Sequence, residues 1–373
     1  MPTIAVTTVF AKRHISLARV LAASLRRHHP DIPFFAVLAD KIDGYFDPAA
    51  EPFQLVRLEE LGIPRLHRLR FHYSQQELTY AVTPSVLRHL LDRGFARAAF
   101  LKQESLVLGD LTPVLGLLDR RSIVLTPHLL GPPTGKDGIA RELNILQSGV
   151  YNVGFLGVSA TAAARAFLAW WEERLFAHCR RDVPGGMHFE QRWLDLVPVF
   201  FADVAIVRDP GFNVGHWNMP ERGAGASFVR FSGFDVERPQ AVTRYSPRLS
   251  MDDIGPTAEI FRRYVTLLEA AAYHDSKSWP YAYDRFDNGA PVSAEARAMY
   301  RELGEAADRF GDPLVTDQPD SFFRWLADPA RSRPRRFLGQ RVLQWAKREY
   351  LNRMNQRGRL ARAVTAIRRR FRT

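Results

Sequence analysis

Lys102-Gln103-Glu104 breaks a run of apolar residues, with 98–101 before it and 106–108 after it, so a cation and an anion stand where a buried strand breaks off. A second cation, Arg230, lies in the short apolar stretch 229–234. Lysine as a point charge and arginine as a bidentate fork are both suited to phosphate oxygens. The other candidates are Asn152 within the apolar run 149–158, Glu190-Gln191 in HFEQRWLDLVP, and Asn213, His216, Trp217 and Asn218 in DPGFNVGHWNMPER. Glu190 is a carboxylate that can face a ligand, or a surface acid near a helix start. Asn152 has small neighbours through which a ligand could approach, and is otherwise a satisfied core amide. An aromatic ring stacks on sugar C–H faces while amides meet hydroxyls, and the same composition also makes an ordered turn around a buried Trp. His216 could be a general base, although a lone histidine is more often structural.

These residues need elements to hold them. Residues 3–10 read as a strand, 15–25 as a helix with Leu17, Val20, Leu21 and Leu25 on one face, and 33–39 as a second strand. Leu78, Ala81, Val82, Val86, Leu90 and Leu91 recur at helical spacing before Gly94, and 98–101 follows as a third strand. Strand, helix and strand in alternation imply a parallel sheet, whose ligands sit beyond the carboxyl ends of the strands. Lys102 stands at such an end. After the first strand, VTTVFAKRHIS carries neither GxGxxG nor GxxxxGK[ST], which argues against a dinucleotide dehydrogenase or a P-loop NTPase. Trp170-Trp171, on the helical pattern 163–176, read as core. Residues 251–330 read as mostly helical, with Ile260, Tyr264, Leu267 and Leu268 on one face, and WPYAYDRFDNG at 279–289 breaks the pattern as a lid or an acceptor wall, or as a plain loop.

The chain of 373 residues is 46% hydrophobic and 25% charged, enough for a sizeable core. Its single cysteine, Cys179, allows neither an intrachain disulfide nor a Cys-rich zinc module and fits a reducing compartment. The N-terminus reads as a strand and not as a signal peptide, and no apolar run approaches the ~18 residues of a spanning helix, so the expected location is cytoplasmic. The net charge of +12 is local: residues 331–373 hold 15 of the 52 basic side chains and one of the 40 acidic ones, leaving the rest at −2. In that tail Leu343, Ala346, Tyr350 and Met354, then Leu360, Val364, Ile367 and Phe371, recur at helical spacing among arginines. A basic amphipathic segment suits an anionic membrane surface on the inner face of the membrane, or packs on the body. Nucleic acid is disfavoured because the neutral body offers no continuing basic groove.

In the order of its elements the chain resembles the GT-A glycosyltransferases, nearest the glycogenin and lipopolysaccharide-galactosyltransferase group. FLKQESLVLGDL at 100–111 is similar to that group's YLDxDxxVxxDL, GVYNVGFLGV to its FNSGVMLxN, HFEQRWLDLVP to its D-Q-D segment, and VRFSGF to its HFxG. The resemblance covers roughly residues 3–235. It implies an α/β fold with a mostly parallel, Rossmann-like sheet for the domain 1–250; the helical region 251–330 and the basic tail 331–373 are read from their own residue patterns. It also implies transfer of a sugar from a nucleotide-diphosphate sugar to a carbohydrate, lipid-linked or protein acceptor, with Glu190, Gln191 and Asn152 as catalytic residues and Asn213, His216, Trp217 and Asn218 at the sugar or acceptor. In the family, the two aspartates of DxD and the later histidine hold a divalent cation. Here Lys102, Glu104 and Arg230 take those places, and cations repel Mn²⁺ or Mg²⁺. The expectation is therefore no metal cofactor, with Lys102 and Arg230 neutralising the diphosphate and Glu104 holding one of them. The alternative is a catalytically silent GT-A domain serving as a membrane-associated binding or scaffold protein.

Overall fold

The computed structural model describes residues 3–219, 221–223 and 225–328. Its strands are β1 (Ile4–Phe10), β2 (Phe34–Leu38), β3 (Gln54–Arg57), β4 (Arg97–Leu101), β5 (Ser105–Val107), β6 (Ile123–Pro127), β7 (Tyr151–Ser159), β8 (Arg181–Asp182), β9 (Met187–His188), β10 (Val204–Ile206) and β11 (Phe228–Arg230). The helices are α1 (Ile15–His28), α2 (Leu66–His72), α3 (Gln75–Ala81), α4 (Thr83–Asp92), α5 (Thr112–Leu115), α6 (Gly138–Ser148), α7 (Ala162–His178), α8 (Val197–Phe200), α9 (Ala258–Ala270), α10 (Tyr273–Ser276), α11 (Ala294–Leu303) and α12 (Phe322–Ala327).

Seven strands form one sheet in the order β10-β6-β7-β4-β1-β2-β3. β1 pairs in parallel with β2 and β4, β2 with β3, and β6 with β10, while β7 runs antiparallel between β4 and β6. The fold is thus α/β with a mostly parallel sheet. The sequence IAVTTVF is mostly β-branched and is buried on both faces, as strands covered by crossover helices must be. α1 packs Ala18, Leu21 and Leu25 into the core and places Arg26, Arg27 and His28 in its last turn, where cations favour the helix dipole. The expected single helix over 78–91 is two helices. Ser74 and Glu77 form a capping box that starts α3, and Thr83-Pro84 open α4, where proline's missing N–H costs nothing.

β11 adds antiparallel to β5 in a separate two-stranded pair, with Arg230 opposite Ser105. The Phe231 N–H then donates to the Glu104 carbonyl at 2.8 Å, and this brings two segments distant in sequence to one place. A second core beneath this pair joins Val20, Leu106, Val229 and Phe231 to Phe261, Tyr264 and Leu268 of α9. Residues 1–314 form one compact unit and 315–373 another, so the boundary expected at 250 falls inside the first unit, because α9 completes its core. In the second unit the described residues include α12, capped by Ser321. The basic patterns of 331–373 lie outside the described residues. Among the described residues no helix is long and apolar enough to cross a membrane.

Candidate active site

Lys102 follows the carboxyl end of β4, and its N–H bonds the Gly154 carbonyl of β7 at 2.9 Å, so the backbone is still held by the sheet where the side chain leaves it. The ammonium is buried, donates to Glu190 Oε1 at 2.7 Å and stands 3.1 Å from the centre of the Tyr80 ring. Arg230 is also buried: Nη2 donates to Glu104 Oε1 at 2.9 Å and Nη1 to Asn152 Oδ1 at 2.8 Å. The two sequence-distant cations do converge, each on its own carboxylate. Burial pulls the Lys102 amine below its usual value although Glu190 opposes it. Burial raises Glu104, but Arg230 and Lys102 together hold it below the ordinary carboxylate range. Two cations and two anions sum to zero, so this cluster has no charge left over for a diphosphate. That corrects the expectation that Lys102 and Arg230 supply it.

The same cluster does not fit a divalent cation. Lys102 and Arg230 stand at the two strand ends, Glu104 is committed to Arg230, and among the described residues no three His, Cys, Asp or Glu side chains come together as a metal site.

Behind the charges lies an amide network. Asn152 Oδ1 accepts from Arg230, from Asn213 Nδ2 at 3.3 Å and from the Gly154 N–H at 2.8 Å, while its Nδ2 meets His128 Nε2 at 2.8 Å. Gly154 is required here, because a Cβ would sit 2.6 Å from Asn152 Oδ1 and 2.8 Å from Arg230 Cδ. Asn213 is fully buried, with its Nδ2 also on Thr126 Oγ1. Asn218 accepts from the Gly215 N–H and donates to the His128 and Asn213 carbonyls. Neither Asn213 nor Asn218 is among the residues that line the cavities beyond the strand ends; Asn218 is saturated by backbone groups, whereas Asn213 Oδ1 is buried without a hydrogen-bond partner among the described residues. Gln191 is likewise tied to the Ser148 carbonyl at 2.7 Å, although it lines the cavity. Glu190 does not ride on an α-helix as read; it precedes a 3₁₀ turn at Gln191–Leu196, and its carbonyl accepts from Trp171 Nε1 at 3.1 Å. The buried Trp171 is core, as its spacing suggested.

Two cavities open beyond the carboxyl ends of the parallel strands, where ligands of such sheets bind. One, of about 330 Å³, is lined by Asn152, Glu190, His216, Trp217, Arg230 and Tyr245 among others. The other, of about 570 Å³, runs from Arg13 and His14 after β1 to Gln103 and Glu104 after β4. Gln76, Tyr80, Arg244 and Tyr245 line both, so the two are neighbours across these side chains. Lys102 lines neither. Burial, with Arg230 and Arg248, lowers His216 to about 4, and burial lowers His128 to about 3, so both are neutral near pH 7. At about 4, His216 is a poor general base and a good neutral hydrogen-bonding partner. The segment 279–289 stacks Trp279 on Phe46, donates the Ala282 N–H to Asp40 and contributes Asp284 to the lining of the larger cavity.

Tyr80, His128, Arg244 and Tyr245 were not found from sequence. Tyr80 belongs to the helical pattern 78–91 and gave no sign of facing a cavity; the others are single residues with no spacing that marks them.

No family model matches the chain. The uncharacterized protein YfnF of Bacillus subtilis (strain 168) is 25% identical over 258 residues, covering 63% of this chain and 82% of that protein. Among solved structures, the galactosyltransferase LgtC in complex with donor and acceptor sugar analogs is 15% identical, covers 71% of this chain and 95% of its own, and has a TM-score of 0.44. The glycosyltransferase GlyE of Streptococcus pneumoniae TIGR4 is 13% identical, covers 77% and 67%, and also scores 0.44. At these scores the likenesses add nothing to the topology read directly from the strand order.

Proposed function

We propose that this chain is a GT-A-type glycosyltransferase that moves a sugar from a nucleotide-diphosphate sugar to an acceptor without a bound metal. The observation that supports it is the pair of adjoining cavities at the carboxyl ends of the parallel strands. The larger has the size and polar lining for a nucleotide, and the smaller sets Trp217 and Tyr245 beside Asn152, Glu190 and His216. Aromatic faces with a few convergent polar groups suit a sugar ring. As the bond from the anomeric carbon to the diphosphate breaks, positive charge grows on the sugar and negative charge on the leaving group. On this reading Glu190, whose Oε1 lies 2.7 Å from the Lys102 ammonium, stabilises the former. The acceptor oxygen bonds to the anomeric carbon as the bond to the diphosphate breaks, and the acceptor's proton passes to the departing diphosphate or to water.

One observation favours a second reading, a silent binding domain of the same fold. The Lys102 pairing also satisfies Glu190 and weakens its pull on a developing cation. A thermal-shift panel of UDP-, GDP-, dTDP- and CMP-sugars, with EDTA or Mn²⁺, tests the proposal. A donor at a hundred times its dissociation constant stabilises by ~2.7 kcal/mol. The reading expects one nucleotide-diphosphate sugar to do so in EDTA, and no shift with any donor under either condition would refute it. The tail 331–373 we read as a contact for anionic membrane.

A further inference from the structure

The Lys102, Glu190, Arg230 and Glu104 cluster is internally neutral, so if the cleft takes a diphosphate, its charge must be met elsewhere. Three acids line the larger cavity, and each already faces an arginine: Glu104 with Arg230 at 2.9 Å, Asp235 with Arg238 at 2.9 Å and Asp284 with Arg297 at 2.9 Å. Two arginines on the same cavity have no carboxylate partner among the described residues. Arg13 donates from Nη2 to the Lys277 carbonyl at 2.8 Å, and Arg244 from Nη2 to the Tyr245 hydroxyl at 3.2 Å. His14 lines the same cavity, and burial, with Arg13 and Arg244 opposing Glu104, lowers it to about 4, so it adds no compensating or competing charge near pH 7. Arg13 and Arg244 are therefore the two arginines of the cavity wall with no carboxylate at ion-pair distance among the described residues, although Asp235 also attracts Arg244.

Two further observations point to a ligand there. The Tyr264 hydroxyl and Gln103 Oε1 belong to side chains at least nine-tenths buried, both residues line this cavity, and neither atom has a hydrogen-bond partner. Buried polar atoms left without partners are costly and are normally satisfied by something. A guanidinium held by a single neutral oxygen keeps most of its five N–H donors free for an oxyanion.

We propose that Arg13 and Arg244 are the diphosphate-binding cations of this cleft, taking a nucleoside diphosphate or its sugar ester across the larger cavity, with the buried Lys102 and Arg230 acting only to hold Glu190, Glu104 and Asn152 in place. The inference rests on the glycosyltransferase reading above. Arg13 fixes the end nearest β1, while Arg244 stands at the border of the two cavities, where the bond to the sugar breaks.

The test is isothermal titration of the full chain in EDTA with UDP, GDP, uridine, guanosine and inorganic pyrophosphate, for the wild type and for Arg13→Gln, Arg244→Gln and Arg244→Lys. Both arginines are at least partly exposed, and melting of the unliganded variants monitors their folding. The expected result is wild-type binding of a nucleoside diphosphate, a ten- to hundredfold loss in each Gln variant, partial recovery in Arg244→Lys, and an unchanged affinity for the parent nucleoside. Wild-type binding that survives both Gln substitutions within threefold overturns the assignment and leaves the glycosyltransferase reading standing. A wild type that binds none of the phosphate ligands removes that reading and this inference together.

Discussion

Replacing Lys102 by Met separates a buried charge pair from a solvated one. In the wild type the ammonium and the Glu190 carboxylate are each about 4% exposed at the side chain and 2.7 Å apart, over the face of Tyr80. Lys102→Met leaves the Glu190 carboxylate buried and unpaired, which costs about 3–5 kcal/mol, whereas removing both charges of such a pair is often close to neutral. At 2–4 °C per kcal/mol for a chain of this order of size, the single variant should melt roughly 10 °C lower. The double variant Lys102→Met/Glu190→Gln should recover about 2 kcal/mol or more of that loss, a coupling at the strong end for contacting residues. Glu190→Gln alone carries a further signature. The folded Lys102 amine titrates below its ordinary value of 10.5, so between that lowered value and 10.5 the unfolded chain holds more protons than the folded one, and stability rises with pH. Without Glu190 that window widens downward, and the deficit of Glu190→Gln should shrink from pH 7 to pH 9. Urea unfolding of the four proteins at both pH values measures all of this. A Lys102→Met variant within about 0.5 kcal/mol of wild type, or a double variant no better than the single, would refute the buried pair.

Burial holds His14 and His216 near 4 and His72 and His128 near 3, so each is neutral in the fold and protonated in the unfolded chain below 6.5. Stability should therefore fall with acidification from about pH 6.5 toward pH 4, by up to ~1.4 kcal/mol per pH unit per histidine, and flat melting temperatures across that range would contradict it. Gly154→Ala should cost about 1–3 kcal/mol by driving a methyl into the Asn152–Arg230 contact, measured by denaturant unfolding; a neutral result means the network yields. Removing 331–373 should abolish binding to anionic vesicles at low salt, with sedimentation of vesicles as the readout and retained binding as the contrary outcome.

The strands at 3–10, 33–39 and 98–101 could be read in the sequence because burial on both faces demands runs of apolar and β-branched residues, Thr7 and Thr8 among them, and the lysine after the third marked a strand's carboxyl end. The approach of Arg230 to the Lys102 segment followed from ordered motifs, and β5 paired with β11 supplies its cause. The choice of partner did not show in the sequence. Glu104 is two residues from Lys102, yet the ammonium takes Glu190, 88 residues away, because the 3₁₀ turn after Glu190 brings that carboxylate over β4. An amide-rich loop has the same composition whether its side chains turn outward to a ligand or inward, as Asn213 does toward Thr126 and Asn152 and Asn218 toward backbone groups. Tyr80, Arg244 and His128 come from three separate elements, and only the fold places them on common walls.

The central claim is that this cleft cleaves the bond between a sugar and a nucleoside diphosphate with no metal. The direct measurement is proton and phosphorus NMR of the purified chain with UDP-, GDP- and dTDP-sugars in EDTA, following release of nucleoside diphosphate and free sugar to water in the absence of an acceptor. The account predicts slow turnover of one donor, unchanged by Mn²⁺ and reduced by Glu190→Gln far more than the affinity for that donor. Turnover that appears only with Mn²⁺, or no turnover of any donor that binds, would contradict it.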